Sequence, residues 1–187
     1  MSEIAKRENY IEKYNVRKCI REFRNIKTEL QAYESKVESL AKIKKISGEK
    51  VPIALIQMWL LSLNNFVNVS RKLTVEQIEE LSYHILTDYY YLNMADIYLI
   101  ITNIKKGKYG QLYESLDGMK ILSFFEQYAD GRSSKIFDKN ISKHMELKES
   151  PGERISENNS ESISIKEIKD KLELYDKVDE AKKSISQ

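Results

Sequence analysis

Apolar residues recur at alternating steps of three and four through the first part of the chain. They are Val16, Cys19, Phe23, Ile26, Leu30, Tyr33, Val37 and Leu40. Charged residues occupy most positions between them, so the apolar side chains form one narrow stripe, as in a seam between two helices. The spacing predicts a long N-terminal heptad helix within residues 1–48, ending near Gly48.

The partner of this seam is left open by the sequence. It is either the same segment of another subunit, which gives a coiled-coil homo-oligomer, or a later helix of the same chain. The residues predicted to bind the partner are Phe23, Ile26, Leu30 and Tyr33. The single cysteine, Cys19, excludes an intramolecular disulfide and a cysteine-based zinc site, and it fits a reducing compartment.

Turn-forming residues are scarce in the whole chain, with 6 Gly and 2 Pro among 187 residues. This scarcity favours long helices over many short strands, and it predicts an all-α helical bundle. Residues 53–69 are apolar on nearly every side, as in the central helix of a bundle. Trp59 in this helix is expected to be a core anchor, and a ligand-stacking role is the alternative. We place the helical core domain at residues 49–132.

Two helix starts inside this core are marked by polar residues. Thr74 followed by Gln77 has the form of a capping box, and Asn93 followed by Asp96 marks a second N-terminus. A last core helix is predicted to begin at Asp117-Gly118 and to end near Gly131.

The composition changes after Arg132. Residues 133–162 are rich in Ser, Lys, Glu and Asn, and they predict a polar linker. Residues 163–187 predict a C-terminal amphipathic helix, with Ile168, Leu172 and Tyr175 as partner-binding positions. This helix either enters the groove of a protein partner or folds back onto the N-terminal helix.

One loop combines basic and aromatic residues around two glycines. Its predicted nucleic-acid-binding residues are Lys105, Lys106, Lys108, Tyr109 and Tyr113. Lysines can hold phosphates by charge, and tyrosine rings can stack on bases. The alternative is structural: the glycines make a tight helix–helix connection, the tyrosines fill its underside, and the lysines cap a helix C-terminus.

Other classes of site find no support in the sequence. It has no glycine-rich run ending in Lys-Ser or Lys-Thr, no Glu-x-x-His pair and no nucleophile motif. We therefore expect no enzymatic activity, no cofactor and no metal. Residues 1–20 are charged throughout and no apolar run is long enough to span a membrane, so we expect a cytoplasmic protein without membrane contact. The N-terminal 50 residues carry 13 Lys and Arg against 8 Asp and Glu, a basic excess that could contact a polyanion.

Residues 70–132 resemble a known group of proteins. The pattern L-T-x-x-Q-I begins at Leu73, and a second pattern, D-I-x-x-I-I-x-x-x-K-x-G-K-Y-G-x-L-Y-x-x-L-D-G-x-x-I-L-x-F-F-x-x-Y-x-x-x-R, begins at Asp96 and ends at Arg132. It is similar to small all-helical proteins of bacteriophages and mobile elements of Bacteroidetes. In organisation it is distantly similar to phage helicase-loader and replication-accessory proteins.

The resemblance implies a non-catalytic adaptor of a phage or mobile element that contacts DNA or a DNA-processing partner. The alternative is a virion-associated or structural assembly protein that acts through its end helices. We expect a protein partner in both cases.

Overall fold

The computed structural model describes residues 10–110 and 115–149. A helical turn at residues 10–13 precedes the first of seven described helices. The helices are α1 (Val16–Glu22), α2 (Glu29–Glu34), α3 (Leu40–Ser47), α4 (Lys50–Phe66), α5 (Val75–Asp88), α6 (Met94–Lys105) and α7 (Gly118–Glu149). Extended pairing within the described part is limited to isolated bridges, so the predicted all-α class is confirmed.

The predicted long heptad helix is wrong, because α1, α2 and α3 replace it. Each of these short helices begins at its own N-cap, Asn15, Thr28 or Ser39, whose backbone is extended and whose side chain accepts a hydrogen bond from a first-turn amide. Asn, Thr and Ser side chains compete with a continuous helix and favour a new helix start. The heptad pattern gives no sign of the two interruptions inside it, at Thr28 and Ser39.

The apolar stripe nevertheless packs against the same chain. Cys19, Phe23 and Leu40 are buried in the core, and Ile26 and Val37 are partly buried against it. In this part of the chain, α1 and α3 contact α4, and α1 and α2 contact α6. In the structure, the apolar stripe therefore packs against later helices of the same chain, which is the intramolecular one of the two alternatives.

Helix α4 is the buried centre of the bundle. Trp59 is 1% exposed and packs edge-on against Tyr98 of α6, with 6.1 Å between the ring centres. Near the end of α4, the Asn64 side chain donates to the Leu73 carbonyl and accepts from the Leu73 amide, at 3.1 and 3.0 Å. These two bonds fix the connection to α5, and they explain a buried asparagine in an apolar helix.

The predicted starts of α5 and α6 are confirmed. Thr74 and Gln77 form a reciprocal capping box before α5, and Asn93 and Asp96 form one before α6. In each box the side chain of the third helical residue accepts from the amide of the cap residue, and the cap side chain accepts from the amide of that third residue, so two otherwise unpaired donors are satisfied.

Helix α7 begins at Gly118 as predicted, but it does not end near Gly131 and continues to Glu149. The prediction of a polar linker is therefore wrong for residues 133–149. Residues 150–162 of that linker, and the predicted C-terminal helix at 163–187, lie outside the described residues.

Ion pairs with α2 give a physical reason for the longer helix. Lys135 Nζ lies 2.6 Å from Glu29 Oε2, and Lys139 pairs with Glu34. Lys135 and Lys139 are four residues apart and share a helix face, so both ion pairs join the first turns of this extension to α2.

The described residues up to His144 belong to one compact unit, and residues 145–149 are assigned to a second. Within the described ranges, no helix combines the length and hydrophobicity that a membrane crossing requires.

Candidate functional site

The loop after α6 begins with a Schellman motif. The Gly107 amide donates to the Ile104 carbonyl at 2.9 Å, and the Lys108 amide donates to the Asn103 carbonyl at 3.0 Å. Gly107 has a φ of +70°, the left-handed conformation that this helix ending requires. The amides of Lys106 and Gly110 also donate to carbonyls within this region. These four backbone amides are thus already paired and are not available to a ligand.

Tyr109 faces the core. Its ring stacks on Phe124, with 5.2 Å between centres and 18° between planes. It also shares a side-chain hydrogen bond with Asn103, and burial raises the pKa of Tyr109. This placement agrees with the structural alternative for the loop and leaves Tyr109 poorly placed to stack on a base.

Lys105 lies against α4. Its Nζ donates to Ser62 Oγ at 2.9 Å and lies 5.1 Å from the ring centre of Phe66. Burial lowers the pKa of Lys105. The Phe66 side chain is 61% exposed, so most of this ring stays open to solvent beside a lysine.

These residues border a groove of about 390 Å³ between the end of α4 and the end of α6. We call it the Phe66 groove, and its lining residues are Phe66, Val67, Asn68, Val69, Ile104, Lys105, Lys106, Gly107 and Gly110. The described lining contains two lysines and no acidic residue. The combination is an open aromatic ring with positive charge beside it.

Lys106 and Lys108 are both exposed, but they do not share this groove. Lys106 is one of its lining residues, whereas Lys108 is close enough to Glu29 to contribute to lowering the pKa of that carboxyl. The three loop lysines are therefore spread over different surroundings. Tyr113 lies outside the described residues.

The four predicted partner-binding residues of the N-terminal region differ in exposure. Phe23 is 6% exposed and packs against Tyr98 at 5.8 Å between ring centres, so it is part of the core. Ile26 and Leu30 are partly buried. Tyr33 is 46% exposed and lies over the Arg132 guanidinium.

The three predicted partner-binding residues of the C-terminal helix cannot be placed. Ile168, Leu172 and Tyr175 lie outside the described residues.

A buried polar network joins α6 and α7. Asp96 is fully buried, and its Oδ1 accepts from Tyr128 Oη at 2.7 Å and from Arg132 Nε at 3.1 Å. Its Oδ2 accepts from the Asn93 amide at 2.9 Å. Burial raises the pKa of Asp96, and these hydrogen bonds and the arginine charge oppose that rise. The carboxylate is thus compensated on both oxygens.

The sequence did not predict that the Phe66 ring is exposed or that Arg132 donates a hydrogen bond to Asp96. Phe66 stands at the end of an otherwise buried helix, where the sequence pattern gives no sign that its ring turns outward. For the network a signal was present, because Tyr128 and Arg132 are four residues apart on one helix face, in the same pattern that begins with Asp96.

Comparisons with known proteins give one result for this chain. Neither the curated proteins nor the solved structures contain a significant match. Residues 72–172, more than half of the chain, match a family of unknown function, and the chain belongs to this family, DUF6633.

Proposed function

We propose that this protein is a non-enzymatic adaptor of a phage or mobile element that acts in replication in the host cytoplasm. In this proposal it contacts single-stranded DNA through the Phe66 groove and brings a DNA-processing protein partner to it. The observation that carries the proposal is the exposed Phe66 ring beside Lys105 and Lys106.

The chemistry of the groove fits a single strand better than a duplex. A base can stack on an exposed ring only when it is not already stacked within a double helix, and such stacking contributes about 1–3 kcal/mol per base. Lys106 is exposed and can neutralise a phosphate next to that base. Lys105 lies over the Phe66 ring, where it adds positive charge to the same contact.

The experiment is fluorescence anisotropy with a labelled thymidine oligonucleotide, at several salt concentrations. Phe66→Ser should weaken binding about tenfold or more, because it removes the stacking ring. Phe66→Trp should retain binding. Since Phe66 is exposed, neither change should unfold the protein, and circular dichroism checks this.

A matched lysine pair tests the electrostatic part. Lys106→Gln should remove about one phosphate contact. The slope of the logarithm of the binding constant against the logarithm of salt concentration should then be shallower by about 0.7. Lys108→Gln alters an exposed lysine that does not line the groove, and it should leave the slope nearly unchanged. Equal effects of the two variants would contradict the assignment of the groove.

The second candidate is a structural assembly protein, including a virion-associated one. Phe137 and Ile141 are 65% and 41% exposed and stand four residues apart on α7, a spacing typical of a helix–helix seam with a second copy of the chain. This candidate predicts that the molecular mass measured by light scattering rises with protein concentration. The double variant Phe137→Ser/Ile141→Ser should remain a monomer. A monomeric wild type at high concentration would exclude it.

A further inference from the structure

A second groove, of about 480 Å³, lies between the α2–α3 connection, the α5–α6 turn and α7. We call it the Arg132 groove, since Arg132 of α7 is among its lining residues. None of its lining residues is shared with the Phe66 groove. Its volume is within the range of about 300–1,000 Å³ that small-molecule sites have.

The walls of the groove are tied to each other by hydrogen bonds. The Leu40 amide donates to the Leu92 carbonyl and the Ala41 amide to the Tyr90 carbonyl, each at 2.8 Å. The Asn93 side chain donates to the Ala32 carbonyl at 2.8 Å. The α2–α3 connection is therefore fixed to the α5–α6 turn, and the groove is preorganised.

Arg132 is 8% exposed, and its guanidinium lies near two aromatic rings. Its guanidinium carbon lies 5.1 Å from the ring centre of Tyr33 and 5.7 Å from that of Tyr91. Asp96 accepts from its Nε. The bond to Asp96 uses Nε, so the Nη edge is the side of this planar group that remains for a ligand.

The two Nη groups donate to none of the described side chains or carbonyls. Among the described residues, Trp59 Nε1 is the side-chain nitrogen or oxygen that is both fully buried and without a hydrogen-bond partner. The unpaired Nη groups of Arg132 do not fall in this class, so they keep some exposure to solvent. They reach the surface of the groove, where an arginine edge can bind two oxygens of one anion at once.

Two further cations border the groove. Lys36 and Lys42 are exposed lining residues without an ion pair to any described residue. The acidic lining residue is Glu38, whose carboxylate accepts from Lys13 Nζ at 2.9 and 3.0 Å and from the Tyr14 hydroxyl. Among the lining residues and their ion-pair partners, Glu38 is paired to Lys13 and Asp96 to Arg132, so the two lysines leave a surplus of two positive charges.

We propose that the Arg132 groove binds a phosphate monoester dianion. The Nη edge of Arg132 holds two phosphoryl oxygens, and Lys36 and Lys42 balance the charge. A carboxylate could also bind the Nη edge of Arg132, but its single negative charge would balance only one of the two surplus positive charges. Because the groove shares no residue with the Phe66 groove, this proposal does not depend on DNA binding.

The test is isothermal titration calorimetry of the full chain at pH 8 and constant ionic strength. The probes are inorganic phosphate, phenyl phosphate, and a thymidine oligonucleotide without a terminal phosphate. We expect one site for each of the first two. The Lys36→Gln/Lys42→Gln variant should weaken both at least about tenfold, because it removes the surplus charge.

Two further variants complete the design. Lys45→Gln/Lys143→Gln removes two exposed lysines outside the groove and should not change phosphate binding. Arg132→Lys keeps the charge but loses the planar fork, and it should abolish most binding, provided that thermal unfolding shows it folded.

Three results would overturn the proposal. The first is no binding of phosphate or phenyl phosphate at millimolar concentration. The second is equal phosphate binding by the two double-lysine variants. The third is an oligonucleotide that binds while phosphate does not, with binding lost in Lys36→Gln/Lys42→Gln, because the groove would then be a site for backbone phosphodiesters.

Discussion

Tyr128 donates a hydrogen bond of 2.7 Å to Asp96, although 32 residues separate them in the chain. The bond joins the middle of α7 to the first turn of α6. Asp96 also caps α6 through the Asn93 amide and accepts from Arg132. One buried carboxylate thus links a helix start, a tyrosine in the core and the arginine of the second groove.

Tyr128→Phe tests the contribution of this bond to stability. The ring is retained, but a buried carboxylate loses a donor, which should lower the free energy of unfolding by about 2 kcal/mol. Urea denaturation measures the change. Tyr90→Phe, at a position that is 55% exposed, is the control and should have little effect. An equal loss in both variants would show that the Asp96 bond has no special role.

The pairing of α7 with α2 can be tested by exchanging charges. Lys135→Glu places a second negative charge beside Glu29 and should lower the free energy of unfolding by less than about 1 kcal/mol, since the lysine side chain is 49% exposed. Glu29→Lys in the same chain should restore most of the loss. Failure of the second change to restore stability would contradict the contact between these helices.

Stability should fall in acid partly through Glu38. Burial raises the pKa of Glu38, but hydrogen bonds from Tyr14 and Lys13 outweigh burial and hold it below its ordinary value of 4.5. A carboxyl whose pKa is lower in the folded state stabilises the fold above its unfolded pKa, and this contribution is lost as the pH falls through the folded pKa.

The pH dependence can be measured by urea denaturation between pH 7 and pH 3. Glu38→Gln should lower stability at neutral pH and flatten the acid part of the profile. Glu80→Gln changes an exposed carboxyl of α5 and serves as the control. A Glu38→Gln profile parallel to that of the wild type would refute the pKa assignment.

Gly107 should resist substitution because of its backbone and not because of crowding. Its φ is +70°, and an added Cβ would meet only the Gly110 carbonyl oxygen, at 3.9 Å. Gly107→Ala should therefore cost about 1 kcal/mol from left-handed strain, and Gly107→Asn should cost less, since asparagine tolerates this conformation better. Thermal unfolding of the two variants measures the order; a Gly107→Asn loss as large as that of Gly107→Ala would contradict it.

The sequence predicts the parts of this fold that local chemistry determines. The capping boxes at Thr74 and Asn93 and the buried helix around Trp59 follow from residue type and spacing, and the structure contains them. The N-terminal helix was predicted wrongly, because the caps at Thr28 and Ser39 interrupt a heptad pattern whose apolar positions remain in register.

The parts that long-range contacts determine were not predictable in this way. Residues 133–149 have the composition of a linker, and the ion pair of Lys135 with Glu29 joins residues 106 positions apart. The outward turn of Phe66 and the inward turn of Tyr109 depend on how α4, α6 and α7 pack, so the sequence could not show which aromatic ring near the basic loop is exposed.

The most direct measurement for the central claim is tryptophan fluorescence of the Phe66→Trp variant during titration with a thymidine oligonucleotide. Trp59 is 1% exposed and gives a constant background. We predict that bases stacking on the introduced ring quench its emission in a saturable manner, that high salt reverses the quenching, and that a Phe137→Trp control shows no quenching. Oligonucleotide binding without quenching in Phe66→Trp, or no binding at all, would contradict the assignment of the Phe66 groove.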